Sequence, residues 1–409
     1  MPPIIKAILS RRMLVSFVMG FASGLPLLLT ISVLQAWMKD EGVDLSVIGL
    51  MALVGLPYTL KFLWAPLFDR FSLPFLGRRR GWLLVAQITL IVSIAGLGFT
   101  NPSNNPWLVA IAAFLVTFFS ASQDIVIDAY RREDLADQEL GLGSSLYVNG
   151  YRLGMLLASG GGLILADVTS FRTVYLTMAS CMSVGVITTL LTPEPEAPAG
   201  SPKNLKEAVT DPFKEYLSRT GALWMLAFIL FYKIGDTMAS AMTIPFYLDI
   251  GFSKTEIGAV VKLFGFWATI VGSLAGGIFI LRQGINRSLW IFGFLQAIST
   301  AGFAVLFYIG HNNLALAAVV AFENFSAGLG TSAFVAFMAS LTNKKFTATQ
   351  YALLSSLMGV PRVFASAPTG FMAEAMGWAS FFIFCALIAI PGMLLLLKFA
   401  PWRQNNENG

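Results

Sequence analysis

The sequence predicts an all-α integral membrane protein with twelve transmembrane helices in two six-helix bundles. Composition, the spacing of the apolar runs and the placement of the basic residues carry that reading. Of 409 residues, 56% are hydrophobic and only 12% charged, where ordinary soluble domains hold about 25% charged residues. Mean hydropathy is +0.73. A soluble chain of this size has no way to hide so much apolar surface. A cytosolic enzyme, a nucleic-acid binder and a disordered chain are thereby excluded; membrane lipid is an expected partner and nucleic acid is not.

A spanning helix needs about 20 mostly apolar residues. That window gives 13–34, 46–66, 81–100, 107–128, 142–166 and 172–191 in the first half of the chain. In the second half it gives 222–247, 254–281, 288–309, 314–341, 348–374 and 379–399. The first span follows Lys6, Arg11 and Arg12. It is too long for a signal-peptide core, and more spans follow it, so it reads as an uncleaved anchor. Nineteen Lys and Arg fall at the N-terminus, the even-numbered loops and the C-terminal end, against Lys39, Arg172 and Lys254 in the odd-numbered loops. Basic residues mark cytoplasmic loops. Both termini and the central loop are expected in the cytoplasm, and the net charge of +5 is mainly a topology signal.

The expected organisation is an N-terminal bundle over 1–191, a cytoplasmic amphipathic linker over 192–221 and a C-terminal bundle over 222–409. In the linker, Thr192-Pro193-Glu194-Pro195-Glu196-Ala197-Pro198 is an extended Pro/acidic stretch. Leu205, Val209, Phe213 and Leu217 then recur every four residues, the pattern of a helix lying on a membrane surface. Pro212 after Asp211 suggests a break into two short helices, with Asp211 capping the second.

The halves share features in a common order. Phe119-Ser120-Ala121 matches Phe325-Ser326-Ala327, Ser144-Ser145-Leu146 matches Ser355-Ser356-Leu357, Arg152 matches Arg362, and Pro26 matches Pro245. Parallel six-helix repeats of this kind resemble the major facilitator superfamily. The second-to-third loop agrees. Asp69-Arg70-Phe71, five inserted residues and then Gly77-Arg78-Arg79-Arg80 resemble that superfamily's Asp-Arg-x-Gly-Arg-Arg/Lys signature. The resemblance implies a major facilitator fold and a cytoplasmic gate of Asp69, Arg70, Arg78, Arg79, Arg80 and Asp128. In it, Asp69 sits at a helix N-terminus and the arginines meet Asp128, Glu133 and Asp134. The alternative is that the arginines only enforce orientation.

Charges inside the spans cost at least about 2.5–3.5 kcal/mol on insertion scales, so each is a functional hypothesis. Asp124 lies about a turn above the cytoplasmic end of the fourth span, and Asp128 shares its face. A buried carboxylate beside a like charge can bind and release a proton; a fixed ion pair with Arg152 or the loop arginines is the alternative. Lys233 and Asp236 share a face of the seventh span and can neutralise each other. Arg152 and Arg362, deep in equivalent positions, would clamp a substrate carboxylate. Lys262 and Glu323 pair with each other or line an outer vestibule, and Lys61 can snorkel. Proton coupling is thus assigned to Asp124, Asp236 or Glu323, and substrate binding to Gln123, Asn149, Tyr151, Arg152, Lys233, Lys262 and Arg362. Cys181 and Cys385 lie in separate apolar runs and His311 in a short polar break. No metal site, no catalytic residue and no cofactor is expected, with the proton as coupling ion.

A closer resemblance rests on longer stretches. Gly20-Phe21-Ala22-Ser23-Gly24-Leu25-Pro26, Leu34-Gln35-Ala36-Trp37-Met38, Lys61-Phe62-Leu63-Trp64 and Ser120-Ala121-Ser122-Gln123-Asp124 look like the AmpG-type muropeptide permeases. So do Gly150-Tyr151-Arg152-Leu153-Gly154, Tyr232-Lys233-Ile234-Gly235-Asp236 and Phe322-Glu323-Asn324. The resemblance covers about residues 13–400. It implies a monomeric, proton-driven importer of anhydromuropeptides in a Gram-negative inner membrane, serving peptidoglycan recycling, with cytoplasmic products that can signal β-lactamase induction and so antibiotic resistance. Another acidic sugar or peptide conjugate is the alternative cargo.

Overall fold

The computed structural model describes residues 7–43, 45–196, 204–253, 256–366 and 368–400, and the side chains of Lys262 and Arg362 lie outside the described residues. Among the described residues, twelve long helical segments follow one another without a strand. They are α1 (Arg11–Asp40), α2 (45–70), α3 (Arg78–Gly98), α4 (Pro106–Asp134), α5 (140–168) and α6 (Phe171–Leu191). After the linker come α7 (Ala222–Asp249), α8 (257–283), α9 (285–309), α10 (Asn313–Leu341), α11 (347–376) and α12 (Trp378–Phe399).

Among the described residues, eight helical stretches are long and apolar enough to cross a membrane, and one of them, Ala259–Ile309, holds α8 and α9 together. The rest of the twelve are interrupted or run together, each for an identifiable reason. Segment α2 alternates α and 3-10 turns around Pro57 and Pro66, and α5 widens into a π-helical turn at Leu157–Gly161 beside Gly160, Gly161 and Gly162. In α11 the helix pauses between Phe364 and Thr369, next to Pro368. Segments α8 and α9 are separated only by Gly284, whose φ of 79° only glycine adopts without strain.

By contacts the chain divides into two units. One comprises Met1–Asp137, Leu146–Lys214 and Ala339–Ser356; the other comprises Gln138–Ser145, Glu215–Met338 and Leu357–Gly409. In the first unit α1 and α5 meet through glycines spaced four apart on both helices, Gly20 and Gly24 against Gly150 and Gly154. A Cβ on Gly150 would stand 1.9 Å from the Phe17 carbonyl oxygen, and one on Gly24 would stand 2.0 Å from that of Tyr151. Small residues at such spacing let membrane helices pack backbone to backbone. The second unit repeats the device with Gly272 on α8, where a Cβ would lie 2.1 Å from the Phe325 carbonyl oxygen of α10.

The helical frame itself repeats. Pro106–Asp134, a 3-10 turn at Asp137–Glu139 and a helix from Leu140 recur with the same lengths and gaps as Asn313–Leu341, Lys344–Phe346 and a helix from Thr347. In that frame Phe119 falls opposite Ser326, so the triplet match of the sequence is displaced by one residue. Arg152 stands twelve residues after Leu140 and Arg362 fifteen after Thr347. The two arginines are therefore not equivalent; they lie about one helical turn apart in depth.

The linker forms one helix, Leu205–Leu217, with Pro212 inside it, not two. Asn204 caps it by accepting from the Glu207 N–H at 2.8 Å, and Ala208, Pro212 and Tyr216 form its buried face. Tyr216 on the next turn keeps the chain winding past the proline. Val209 and Leu217 point outward.

At the start of α8, Ser253 and Glu256 form a capping box. The Glu256 carboxylate accepts from the Ser253 N–H and hydroxyl, both at 2.8 Å, and the Ser253 hydroxyl accepts from the Glu256 N–H at 3.2 Å. The Ser253 N–H, then Asn313, Ser253 and His311 side chains, hold this carboxyl down from 4.5 to about 2.

Two outcomes follow from these contacts. Gly150→Ala is expected to lower thermal stability in detergent by about 1–3 kcal/mol through overpacking, whereas Gly96→Ala, with no atom within 4 Å of its Cβ, leaves it unchanged. Because the Glu256 carboxyl is depressed in the folded protein, its stabilisation is fully present above pH 4.5 and is lost as pH falls towards 2. A melting-temperature profile for Glu256→Gln should lack that acid-limb component.

Candidate functional site

Three groups of charged side chains are built into the helices. The first lies where α2 ends and α3 begins. Arg79 is fully buried and uses its whole guanidinium. Nη1 donates to the Phe68 carbonyl at 2.8 Å, Nη2 to Asp69 at 2.8 Å and Glu133 at 2.6 Å, and Nε to Glu133 at 3.0 Å. Arg78 also reaches Glu133, at 2.9 Å. Asp69 turns its carboxylate onto the first turn of α11, accepting from the N–H groups of Ala348 and Thr349 at 3.2 and 2.8 Å and from the Thr349 hydroxyl at 2.8 Å. Negative charge is favoured at a helix N-terminus by the unpaired N–H groups and the helix dipole. The same device recurs at α3, where Glu194 accepts the N–H groups of Arg79 and Arg80 at 2.7 and 3.0 Å.

The remaining residues assigned to the gate go elsewhere. Arg80 caps the end of α6 by donating to the Thr189 and Leu190 carbonyls at 2.9 and 2.8 Å. Arg70 lies over the Phe71 ring, 5.3 Å from its centre. Asp128 pairs with Arg131 at 3.2 Å rather than with a loop arginine, and Asp134 pairs with Arg12 at 3.9 Å. Six residues separate Arg70 from the Gly-Arg-Arg-Arg run, and it is Arg79 that pairs with Asp69.

The second group surrounds Asp124, in the middle of α4 and 6% exposed. Its carboxylate accepts from the Ser23 hydroxyl of α1, whose oxygen lies 2.9 Å from the Tyr147 hydroxyl of α5. It is not bonded to Arg152 or to the loop arginines. The cation acting on it is Lys61, whose charge also reaches Asp128. Lys61 is 7% exposed, so it does not snorkel: the α2 turns carry it inward. One turn along, Arg131 donates to the Tyr351 hydroxyl at 2.9 Å and lies 4.7 Å above the Tyr147 ring centre. Lys61 and Arg131 thus stand against Asp124 and Asp128, two charges of each sign in one buried patch.

Gln123 is locked into the frame, donating to the Ala22 carbonyl at 3.0 Å. Asn149 is buried, Tyr151 and Arg152 are half-buried on the next turn of α5, and the Tyr151 ring stands 6.3 Å from that of Tyr147. The aromatic candidates mostly pack inward: Trp37 stacks on Phe171, Tyr58 donates to Ser120 and Trp64 to Ser122.

The third group is in the second unit. Lys233, at the break in α7, lies 3.5 Å from Asp236 and donates to the Thr331 hydroxyl at 2.8 Å. Thr331 holds on α10 the frame position that Asp124 holds on α4. Glu323, 8% exposed, sits against Asp236 and Ser299; its expected pairing with Lys262 falls on a side chain outside the described residues. Lys262 and Arg362 contribute backbone only to this description, in the π-helical turn Ile257–Phe264 and in Thr347–Phe364.

Ser23, Tyr147, Tyr351 and Glu194 were not singled out in the sequence. Ser23 had a signal, as a hydroxyl between Ala22 and Gly24 on a helix face of small residues. The others resemble ordinary interfacial tyrosines and a linker acid.

Buried ionisable groups inside membrane-length helices mark a substrate or ion pathway. Residues 13–366 match the family model described as Major Facilitator Superfamily. The chain is 46% identical over 388 residues to the anhydromuropeptide permease of Escherichia coli (strain K12), covering 94% of this chain and 79% of that one. It is 42% identical to an uncharacterized protein of Haemophilus influenzae, over 98% and 97% of the two chains. It is 33% identical to the putative transporter AmpG 4 of Rickettsia felis, over 96% and 98%. The proton:xylose symporter XylE, bound to 6-bromo-6-deoxy-D-glucose, shares the fold with a TM-score of 0.70 at 11% identity, over 97% and 96% of the chains. This chain belongs to the major facilitator superfamily and, within it, to the family of the anhydromuropeptide permeases. The relatives whose names give an activity are a permease, a putative transporter and a symporter.

Asp69→Asn is expected to lower the melting temperature in detergent, losing about 1.5–3 kcal/mol of charged hydrogen bonding. Thr349→Val, which removes one of the donors to Asp69, should cost less. Equal effects would mean that the Asp69 charge does not hold this end together.

Proposed function

We propose that the protein imports anhydromuropeptides, disaccharide-peptides of the N-acetylglucosaminyl-anhydro-N-acetylmuramyl type, from periplasm to cytoplasm by proton symport, for peptidoglycan recycling. The 46% identity to an anhydromuropeptide permease over 94% of the chain carries the choice of cargo. The excess of Lys and Arg in the even-numbered loops supports an inner-membrane orientation with both termini and the linker in the cytoplasm, and a monomer supplies the whole route.

In this reading the first six helices and the last six rock against each other around the cargo, joined by the linker at 192–221. The Asp69–Arg79–Glu133 tie to the start of α11 is the cytoplasmic gate, which breaks when the cargo is released inward. Asp124 is the coupling carboxylate. With Asp124 ionised, the patch of Lys61, Arg131, Asp124 and Asp128 is neutral. A proton on Asp124 leaves it with one surplus positive charge, which suits an acidic cargo. Arg152 and Arg362 are assigned to the cargo carboxylates, and Asn149 and Tyr151 to its sugar. Release of the proton to the more alkaline cytoplasm restores neutrality and resets the carrier.

The test is uptake of labelled anhydromuropeptide into proteoliposomes, with and without an inward proton gradient. Wild type should accumulate cargo only with the gradient, and intact muropeptide should compete better than free sugar or free peptide. Asp124→Asn should lose accumulation by at least tenfold while keeping gradient-independent counterflow. A mutant that still accumulates cargo would remove Asp124 from the coupling step. Wild type that moves another acidic conjugate and no muropeptide would overturn the cargo.

A further inference from the structure

The Asp124 carboxylate stands at the end of a chain of two hydroxyls. Among the described residues, Ser23 of α1 is its hydrogen-bond donor. An ionised carboxylate only accepts, and a serine hydroxyl has one proton to give. With that proton spent on Asp124, the 2.9 Å contact between Ser23 and Tyr147 runs one way: the Tyr147 hydroxyl donates and Ser23 accepts. The order Tyr147 to Ser23 to Asp124 therefore belongs to the ionised state. A proton on Asp124 gives it a donor of its own and removes the charge that orders the chain. Both hydroxyls are held in place by backbone. Gly20 and Gly24, which flank Ser23, lie against the carbonyl oxygens of Tyr147 and Tyr151, where a Cβ would come within 2.1 and 2.0 Å. Ser23 is fully buried and Tyr147 is 9% exposed, so little water competes for either hydroxyl. The Tyr147 ring has a separate task, carrying Arg131 4.7 Å above its centre. All three residues of the chain belong to the first unit. The titratable groups around them are Tyr58 and Lys61 on α2, Asp128 and Arg131 on α4, Tyr151 on α5 and Tyr351 on α11.

We infer that Tyr147 is a positioning residue for the coupling step, acting on Asp124 through Ser23. Its hydroxyl keeps the Ser23 proton directed at the carboxylate. That favours the ionised carrier, the form that returns empty after the cargo and its proton have left. A buried carboxylate oxygen that loses its donor is costly, so breaking the chain weighs on the empty return. Net accumulation needs that return in every cycle. Exchange of cargo for cargo does not, because the loaded carrier crosses in both directions with its proton in place. The inference rests on the reading of Asp124 as the coupling carboxylate.

The test measures accumulation of labelled anhydromuropeptide in an inward proton gradient and gradient-independent counterflow in the same proteoliposomes. The ratio of the two cancels differences in the amount of folded carrier. Tyr147→Phe keeps the ring beneath Arg131 and removes only the hydroxyl. It should lower the ratio about threefold to tenfold, the worth of one neutral hydrogen bond. Ser23→Ala removes the charge-assisted bond itself and should lower the ratio about tenfold or more. Because Tyr147 acts through Ser23, the double variant should be no lower than Ser23→Ala alone. A wild-type ratio in Tyr147→Phe would overturn the inference, and so would a double variant whose loss is the product of the two single losses. A wild-type ratio in Ser23→Ala would also overturn it, however well Tyr147→Phe folds. Asp124→Asn that still accumulates cargo would strike the coupling reading and this inference with it. Asp124→Asn that loses accumulation while Tyr147→Phe matches wild type would strike this inference alone.

Discussion

Every ionisable side chain inside this protein must be neutralised by another, because the hydrocarbon around it cannot solvate charge. Arg79 shows what that constraint does to a structure. A fully buried guanidinium needs acceptors in a fixed fork, and it finds them in Asp69, Glu133 and the Phe68 carbonyl. Those partners fix α2, α3 and α4 to one another at this end. Asp69 then has oxygens to spare, and they fall on the N–H groups that open α11. A requirement of one arginine thereby joins a helix from the second half of the chain to α2, α3 and α4. Such a tie is strong only while water stays out. Removing one partner from a buried pair typically costs several kcal/mol, yet once the end opens both charges are solvated and the cost disappears.

The constraint also explains where conformational freedom is confined. The α1–α5 crossing has no space for even a methyl group at Gly150 or Gly24, so that pair moves as one body. Ser23 and Tyr147 lie at this crossing and hold Asp124 between them. A change of charge on Asp124 is therefore felt at a rigid joint. From there Tyr147 and Tyr351 flank Arg131, and Tyr351 lies on the first turns of α11. The carboxylate and the gate are two ends of one connected set of side chains.

Much of the architecture was legible in the sequence, because a spanning helix must be long and apolar and its flanking charges must obey a sidedness rule. All twelve segments fall within a few residues of their expected limits, apart from the ends of α1 and α4, which run on through polar residues such as Lys39 and Arg131. The helix interruptions were less legible. Prolines stand beside those in α2 and α11, but nothing in apolar spacing distinguishes a π-helical turn from a regular one. Pro212 misled in the opposite direction, since a single missing N–H is tolerated in a helix with a well-packed face. The gate was legible in part. Asp69 and Arg79 follow from the spacing of the charges, whereas Glu194 and Thr349 depend on which helix ends come together in three dimensions. In the sequence Lys61 is open between snorkelling and facing inward, because depth along a span says little about direction when the helix is broken. Arg152 and Arg362 were taken as equivalent because triplet matches cannot resolve a slip of a few residues, which the helical frame does.

The claim that binds these parts together is that Asp124 changes protonation when cargo binds. Adding anhydromuropeptide to the purified protein in weakly buffered detergent solution, with a pH indicator, reads this directly. The account predicts that wild type takes up about one proton per bound cargo at neutral pH, and that Asp124→Asn binds cargo without taking up a proton. Equal proton uptake by wild type and Asp124→Asn would contradict it.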